Sequence, residues 1–462
     1  MNNKTNKKRS KNRSLWDFGM TSILILLLFR IPISNMLGSE GNGYLAITWE
    51  WFTVWGIFFG MCIGKSVTRM VKIRMSKHQY HNSTRILYTA IITGIVWSAV
   101  GGLLMYALSG VLTDKLLGVK LSGISLRLSG LLLVFGTTAN VFRGYFEGSK
   151  TKIPTYFSKI IEVLVAGTGA CIFAFLFGKY GKKVGALLLN AQYEPAFIAV
   201  GIIAGCILGS IISIIFLCVV NGIYQIPLTE LYKKDETRIL ESQLSIVKEI
   251  FKMSWLAILP VLFYKGYRML NIGIYIRSKM EEGTTIKTIQ QIGSYHGRIL
   301  VIAGIICVLI LGVTGKNLRK IQKYYIKNDF SACGKFLLED LKIILGASVG
   351  AMVILLVLSK SILQLVFRTG TQSEIQMLQV ASAGILVVVT SIYMYKVLQA
   401  LGEELPLLVI LVIAFIGQTI LMLSLVKIAS LGAITLVIAE LVFWTITALL
   451  EGLLLFKLLK PR

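Results

Sequence analysis

The sequence contains no Walker phosphate loop, dinucleotide-binding glycine fingerprint, zinc-protease HExxH pair or nucleophile elbow. ATP hydrolysis and the common enzyme chemistries therefore have no motif to rest on, and a non-enzymatic role is expected. Six cysteines (Cys62, Cys171, Cys206, Cys218, Cys307, Cys333) stand singly, mostly in apolar runs, without paired-ligand spacing, and read as packing residues. His78 and His81 lie three apart beside a basic run with no third ligand nearby, the pattern of a solvated loop rather than a metal site. No cofactor is called for. Charge is scarce as well, at 15% of residues against about 25% in soluble domains. Acidic residues are the scarcest part of it, 22 Asp and Glu against 48 Lys and Arg.

What fills the chain instead is apolar, 55% of 462 residues with a mean hydropathy of +0.75. At about 20 residues per crossing, twelve segments are expected, near 14–36, 43–64, 85–109, 121–146, 152–178, 195–221, 248–276, 294–314, 335–365, 375–400, 404–427 and 430–457. None shows the ten-residue alternation of an outer-membrane barrel, so the expected fold is an all-α polytopic membrane protein. The net charge of +26 follows the loops rather than pointing to nucleic acid. With a cytoplasmic N-terminus (Lys4, Lys7, Lys8, Arg9, Lys11, Arg13), the inner connections hold about thirty Lys and Arg against about ten outside. Both termini are then cytoplasmic, and Lys179, Lys182 and Lys183 are an outer exception. The first apolar segment, long enough to span and lacking a small-residue cleavage site, reads as a retained anchor.

Phe29 to Tyr44 is the most informative stretch. It sets Arg30 inside a span, where an arginine costs about 2.5 to 3.5 kcal/mol on insertion scales and so faces a protein interior or a wet cavity. Pro32 removes a backbone donor in the same helix and is expected to break it. Six helices later Pro260, a turn or two before Lys265 and Arg268, is likewise expected to break a cationic helix. The basic, partly apolar connections at 65–77 and 316–327 also correspond, and read either as interfacial helices on anionic inner-leaflet lipids or as ordinary positive-inside loops. These matches divide the chain into a basic N-terminus (1–13), a six-helix lobe (14–221), a cytoplasmic linker (222–247), a second six-helix lobe (248–457) and a short tail (458–462). Gly56, Gly60 and Gly64, and Gly201, Gly205 and Gly209, recur every four residues and allow close helix packing or a sliding surface.

The run from Arg30 to Tyr44, R-I-P-I-S-N-M-L-G-S-E-G-N-G-Y, resembles the first helix and turn of the polysaccharide-transporter branch of the multidrug/oligosaccharidyl-lipid/polysaccharide (MOP) flippase superfamily, close to stage V sporulation protein B-like and lipid II flippase-like members. Phe142 to Gly148 with Pro154, Ser361 to Phe367, and Leu398 to Gly402 with Pro406 resemble later motifs of that branch, in order along the chain. Cys62 to Ser66 departs from the small-residue and proline pattern of the branch. The resemblance implies two lobes around a central cavity, in a MATE-like fold, alternating access to move polyprenyl-linked sugar phosphates across a bacterial cytoplasmic membrane. Many members of the branch have fourteen spans, and in lipid II flippases the extra pair is associated with a groove for the lipid tail; twelve are counted here.

A phosphate substrate calls for cations, arginine above all, because its planar fork donates two hydrogen bonds to phosphate. The candidates are Arg30, Lys265 and Arg268, then Arg127 and Arg298 near helix ends; Arg143 starts an inner turn and suits anchoring or gating. Glu50, Glu162 and Glu440 lie within spans and either couple transport to Na+ or H+ or neutralise a cavity arginine. Two other functions stay open, a cation-coupled multidrug or metabolite exporter and a non-transporting scaffold for envelope-synthesis enzymes. An exporter of organic cations would favour cavity acids, whereas this chain concentrates bases.

Overall fold

The apolar runs lie in helices, the structure in which a chain in hydrocarbon bonds its backbone groups within one segment. The computed structural model describes residues 18–460 except 234, 238, 281–284, 315–316 and 429–430. The basic N-terminal stretch, Lys234, Arg238, Lys316 and Arg462 lie outside the described residues. Among the described residues the helices are α1 (Phe18–Gly56), α2 (Cys62–Ser76), α3 (Tyr80–Gly110), α4 (Ser122–Gly148), α5 (Lys152–Leu187), α6 (Tyr193–Tyr232) and α7 (Gln243–Met280). They are followed by α8 (Thr285–Ser294), α9 (Leu300–Val313), α10 (Leu318–Ile326), α11 (Phe330–Phe367), α12 (Gln372–Leu401), α13 (Glu404–Leu425) and α14 (Ile434–Leu459). Wider π-type turns join α1 to α2 at Ile57–Met61, extend α3 at Val111–Lys115 and join α8 to α9 at Tyr295–Ile299.

Ten helical runs among the described residues are long and apolar enough to cross a membrane, which makes this a multi-pass membrane protein. The first, Met20–Ser76, has 57 residues. At 1.5 Å per residue it would reach about 85 Å, nearly three times a hydrocarbon core, so it holds two crossings. The 38-residue α7 is not among the ten and carries Lys252, Lys265 and Arg268. These ten runs stand beside the twelve segments expected; the segment expected at 248–276 is the one that falls in α7.

The helix does not break where proline was expected to break it. Both α1 and α7 continue through Pro32 and Pro260, and the non-helical residue of α1 is Gly38, with φ 65° and ψ −174°. A positive φ is open to glycine and strained for a side chain. The carbonyls exposed there are taken up by buried Asn42, whose Nδ2 donates to the Ser34 carbonyl at 3.0 Å, the Ser34 hydroxyl at 2.9 Å and the Gly38 carbonyl at 2.6 Å. The motif G-S-E-G-N-G is thus a helix break with its own amide clamp.

The chain forms two compact units. One comprises Leu28–Arg298 and Met422–Leu436, and the other Met1–Leu27, Ile299–Leu421 and Val437–Arg462. In the first, α5 and α6 make the most extensive pair, and α4 packs on α2, α3 and α6. Both glycine stripes serve that packing. A Cβ on Gly64 would sit 2.7 Å from the Asn140 carbonyl, and one on Gly209 would sit 2.6 Å from the Glu162 carbonyl. In the second unit α11 packs on α10 and α12. The basic run 65–77 is not a separate helix but α2, which continues from the π turn and buries Val67, Met70 and Val71. Its counterpart α10 is a separate short helix with Ile321 buried.

The connection after α6 is clipped to the start of α3. Glu236 N–H donates to the His78 carbonyl at 3.0 Å, Tyr80 N–H to Asp235 Oδ1 at 2.8 Å, and Asn82 Nδ2 to the Ile239 carbonyl at 3.1 Å. His81 Nδ1 bonds Asp235 Oδ2, and Arg74 pairs with Glu241 at 2.5 Å. Burial opposes ionisation of Asp235, but the hydrogen bonds from His81, Thr237 and the Tyr80 amide prevail and hold its carboxyl below the usual carboxylate range. A depressed carboxyl stabilises above its unfolded value of about 3.9 and loses that contribution as pH falls through the lower folded value. Hydrogen exchange of the Tyr80 amide and of residues 235–241 is therefore expected to stay slow down to about pH 4 and to accelerate below it. An Asp235→Asn variant should exchange fast at neutral pH; unchanged protection in that variant would remove Asp235 from the clip.

Candidate functional site

Three glycine contacts bring the second half of α1 against α8 and the turn that follows it. A Cβ on Gly43 would meet the Ile289 carbonyl, one on Gly293 the Ser39 carbonyl, and one on Gly297 the Asn42 side chain. This backbone-to-backbone seam sets the buried His296 between two residues of α1. Arg30 Nη2 lies 3.1 Å from His296 Nδ1, and Glu50 Oε1 lies 3.2 Å from His296 Nε2.

The partners determine the tautomer. A guanidinium only donates and a carboxylate only accepts, so Nδ1 accepts from Arg30 and Nε2–H donates to Glu50. A neutral imidazole makes both bonds at once; a protonated one would set two donors face to face at Arg30. The array is a relay of cation, neutral ring and anion, with His296 and Glu50 buried and Arg30 half-buried.

Further cations gather nearby. Arg268 on α7 lies within electrostatic reach of His296 and of Lys265, and its guanidinium stands 5.7 Å from the Tyr267 ring centroid. Lys265 is exposed and within reach of Lys65 and Glu50. Among the described residues, Arg30, Lys265 and Arg268 thus lie around Glu50 and His296, with Lys65 close to Lys265. A group of cations gathered around a neutral ring is chemically suited to receive an anion.

The structure brings together Arg30, Lys265, Arg268 and Glu50 from the sequence candidates. It places Arg127 elsewhere, exposed on α4, donating from Nε to Ser109 Oγ at 2.9 Å and standing 5.8 Å from the Tyr106 ring. Arg298 lies half-buried in the π turn, two residues from His296. Glu162 pairs with buried Arg143 at 2.5 Å and accepts from Ser210 at 3.0 Å. Arg143 also donates to Ser158 at 3.0 Å and Ser213 at 2.8 Å, so its fork ties α4 to α5 and α6. Glu440 is buried on α14, in the other compact unit.

Sequence reasoning missed His296, although a histidine within an apolar run was the signal. It also missed two buried carboxylates of the second unit. Glu451 on α14 accepts from Ser391 at 2.8 Å, and Asp340 on α11 accepts from Tyr393 at 2.8 Å and Asn317 at 3.0 Å.

A profile of the polysaccharide biosynthesis protein family matches residues 15–271, more than half of the chain. No functionally curated protein matches the sequence. Among solved structures, an inward-facing multidrug resistance MATE family transporter of the MOP superfamily is 12% identical, with a TM-score of 0.71 over 95% of this chain and 94% of that one. Lipid II flippase MurJ in an inward closed conformation is 12% identical, with a TM-score of 0.63 over 95% of this chain and 86% of that one. A MOP superfamily transporter from Pyrococcus furiosus, described as having a binding pocket of reverse polarity, is 13% identical, with a TM-score of 0.56 over 95% of each chain. At these identities the likeness is one of fold, and it agrees with the helical membrane architecture found here. Carrying that fold and matching the profile across α1 to α7, the chain belongs to the polysaccharide biosynthesis protein family of MOP-type flippases and transporters.

Proposed function

We propose that the protein is an alternating-access flippase for polyprenyl-phosphate-linked sugars, working in a bacterial cytoplasmic membrane with both termini inside. The observation that carries this reading is the cationic cluster itself, Arg30 on His296 with Lys265 and Arg268 close by, in a chain of a polysaccharide biosynthesis family. A pyrophosphate linkage supplies the missing negative charge. Arg30 is suited to receive it, because a two-pronged bond between guanidinium and phosphate pairs opposite charges as well as two hydrogen bonds, whereas the imidazole offers one neutral acceptor. Phosphate can therefore take the guanidinium from His296, while His296 keeps Glu50 and holds the carboxylate away from the incoming anion. Lys265 and Arg268 would share the charge as it moves.

The related multidrug fold does not by itself favour a cationic cargo, since fold does not decide function. A cluster of this polarity disfavours organic cations, and a family relative is itself described by a reversed pocket polarity. The test is flipping of a fluorescent undecaprenyl-pyrophosphoryl sugar in proteoliposomes. Arg30→Gln, Lys265→Gln and Arg268→Gln are each expected to slow it at least about tenfold, the worth of one charge-assisted hydrogen bond, with folding intact. Wild-type rates in all three variants would sink the assignment, and a polyprenyl lipid copurifying with the protein would support it.

A further inference from the structure

Away from this cluster, a cavity of about 470 Å³ opens where the connection after α6 meets the first turns of α3. His81, Thr84, Arg85, Tyr88, Leu240 and Gln243 line it. Its chemistry is one-sided. Arg85 has its Nε buried with no hydrogen-bond partner among the described residues, and a buried guanidinium N–H without an acceptor is costly. Among the described residues no carboxylate lines the space. Glu241, between two lining residues, is drawn to Arg74, and Asp235 is taken up by His81, Thr237 and the Tyr80 amide. The cavity therefore offers a cation, a histidine, a hydroxyl and an amide to a ligand that must itself bring the acceptors.

The surroundings say which kind of acceptor. Tyr88, Ile92 and Val96 follow Arg85 along one stripe of α3, three to four residues apart, and all three are exposed, as are Leu240 and Leu244 beside the opening. In a membrane-spanning helix such a stripe faces acyl chains. The same ligand thus meets a polar, cationic pocket and an apolar track leading from it.

We propose that this cavity binds the phosphate of an anionic membrane phospholipid, with Arg85 as its principal ligand and the acyl chains along Tyr88, Ile92 and Val96. Because the cavity wall is shared by α3 and the clipped connection, an occupied site braces that clip and makes its order depend on the anionic lipid content of the membrane.

The full-length protein in phosphatidylcholine nanodiscs doped with phosphatidylglycerol provides the test, read by native mass spectrometry of retained lipid. The wild type is expected to retain phosphatidylglycerol, and Arg85→Gln to lower its affinity at least about tenfold, with Arg85→Lys in between. Equal retention by wild type and Arg85→Gln overturns the proposal. Inorganic phosphate separates the two sources of the anion: Arg85-dependent phosphate binding without lipid retention overturns the lipid assignment. Should Arg85→Gln fail to fold, Tyr88→Trp, at an exposed position, reports on the intact pocket. Its fluorescence is expected to be quenched more by brominated phosphatidylglycerol than by brominated phosphatidylcholine, and equal quenching overturns the site.

Discussion

Replacing Glu50 with alanine is expected to destabilise the unit formed around Leu28–Arg298 by about 3–5 kcal/mol, the cost of leaving one partner of a buried charge array uncompensated, and to abolish flipping. Glu50 is the carboxylate that His296 contacts at 3.2 Å, and the same imidazole accepts from Arg30 at 3.1 Å. Without Glu50 the Nε2–H of a buried ring has lost its acceptor, and Arg30 and Lys265 have lost a nearby counter-charge. Glu50→Gln retains an acceptor for Nε2–H and removes only the charge, so its loss of stability should be smaller. The double variant Glu50→Gln with Arg30→Gln separates the roles. If Glu50 serves as counter-charge to Arg30, thermal unfolding in micelles will show the pair costing less than the sum of the two single changes. Strict additivity would mean that the two charges do not communicate through His296.

Arg30 was legible as a candidate because its cost in hydrocarbon is a local property, visible in one segment without knowledge of its neighbours. Most of the apolar crossings were legible for the same reason, hydropathy being local. Its partner was not. His296 lies 266 positions away, and what joins the two is a seam of Gly43, Gly293 and Gly297 whose meaning emerges only when two backbones are seen to touch. Proline was overvalued because its missing donor was taken as a break; α1 and α7 run on through Pro32 and Pro260, and a glycine with positive φ, clamped by an asparagine four residues on, is where the first helix turns. Glu162 looked like Glu50 in the sequence, a carboxylate in a span. Structure separates them: one is held by Arg143 with Ser210, the other stands against a neutral ring beside an excess of cations.

The seam itself carries the other large effect. Gly293→Val is expected to cost about 3 kcal/mol or more, the upper range for overpacking, because the added atoms meet backbone rather than a side chain that can rotate away. A Cβ at position 293 would fall on the Ser39 carbonyl oxygen and close to the Gly43 nitrogen, and the valine methyls would add to the clash. Relief requires α8 to move off α1, which carries His296 away from Arg30 and Glu50, so flipping should fall together with the melting temperature. Gly346→Ala on α11 is the matched control: a Cβ there meets nothing within 4 Å, and replacing a helical glycine by alanine is worth about 0.5–1 kcal/mol in stability. Two helical glycines in one chain thus have opposite expected signs, decided by whether backbone stands in the path of the new atom. Wild-type melting and flipping in Gly293→Val would mean that α1 and α8 are not in backbone contact, and the relay of Arg30, His296 and Glu50 would then lose the geometry that assembles it.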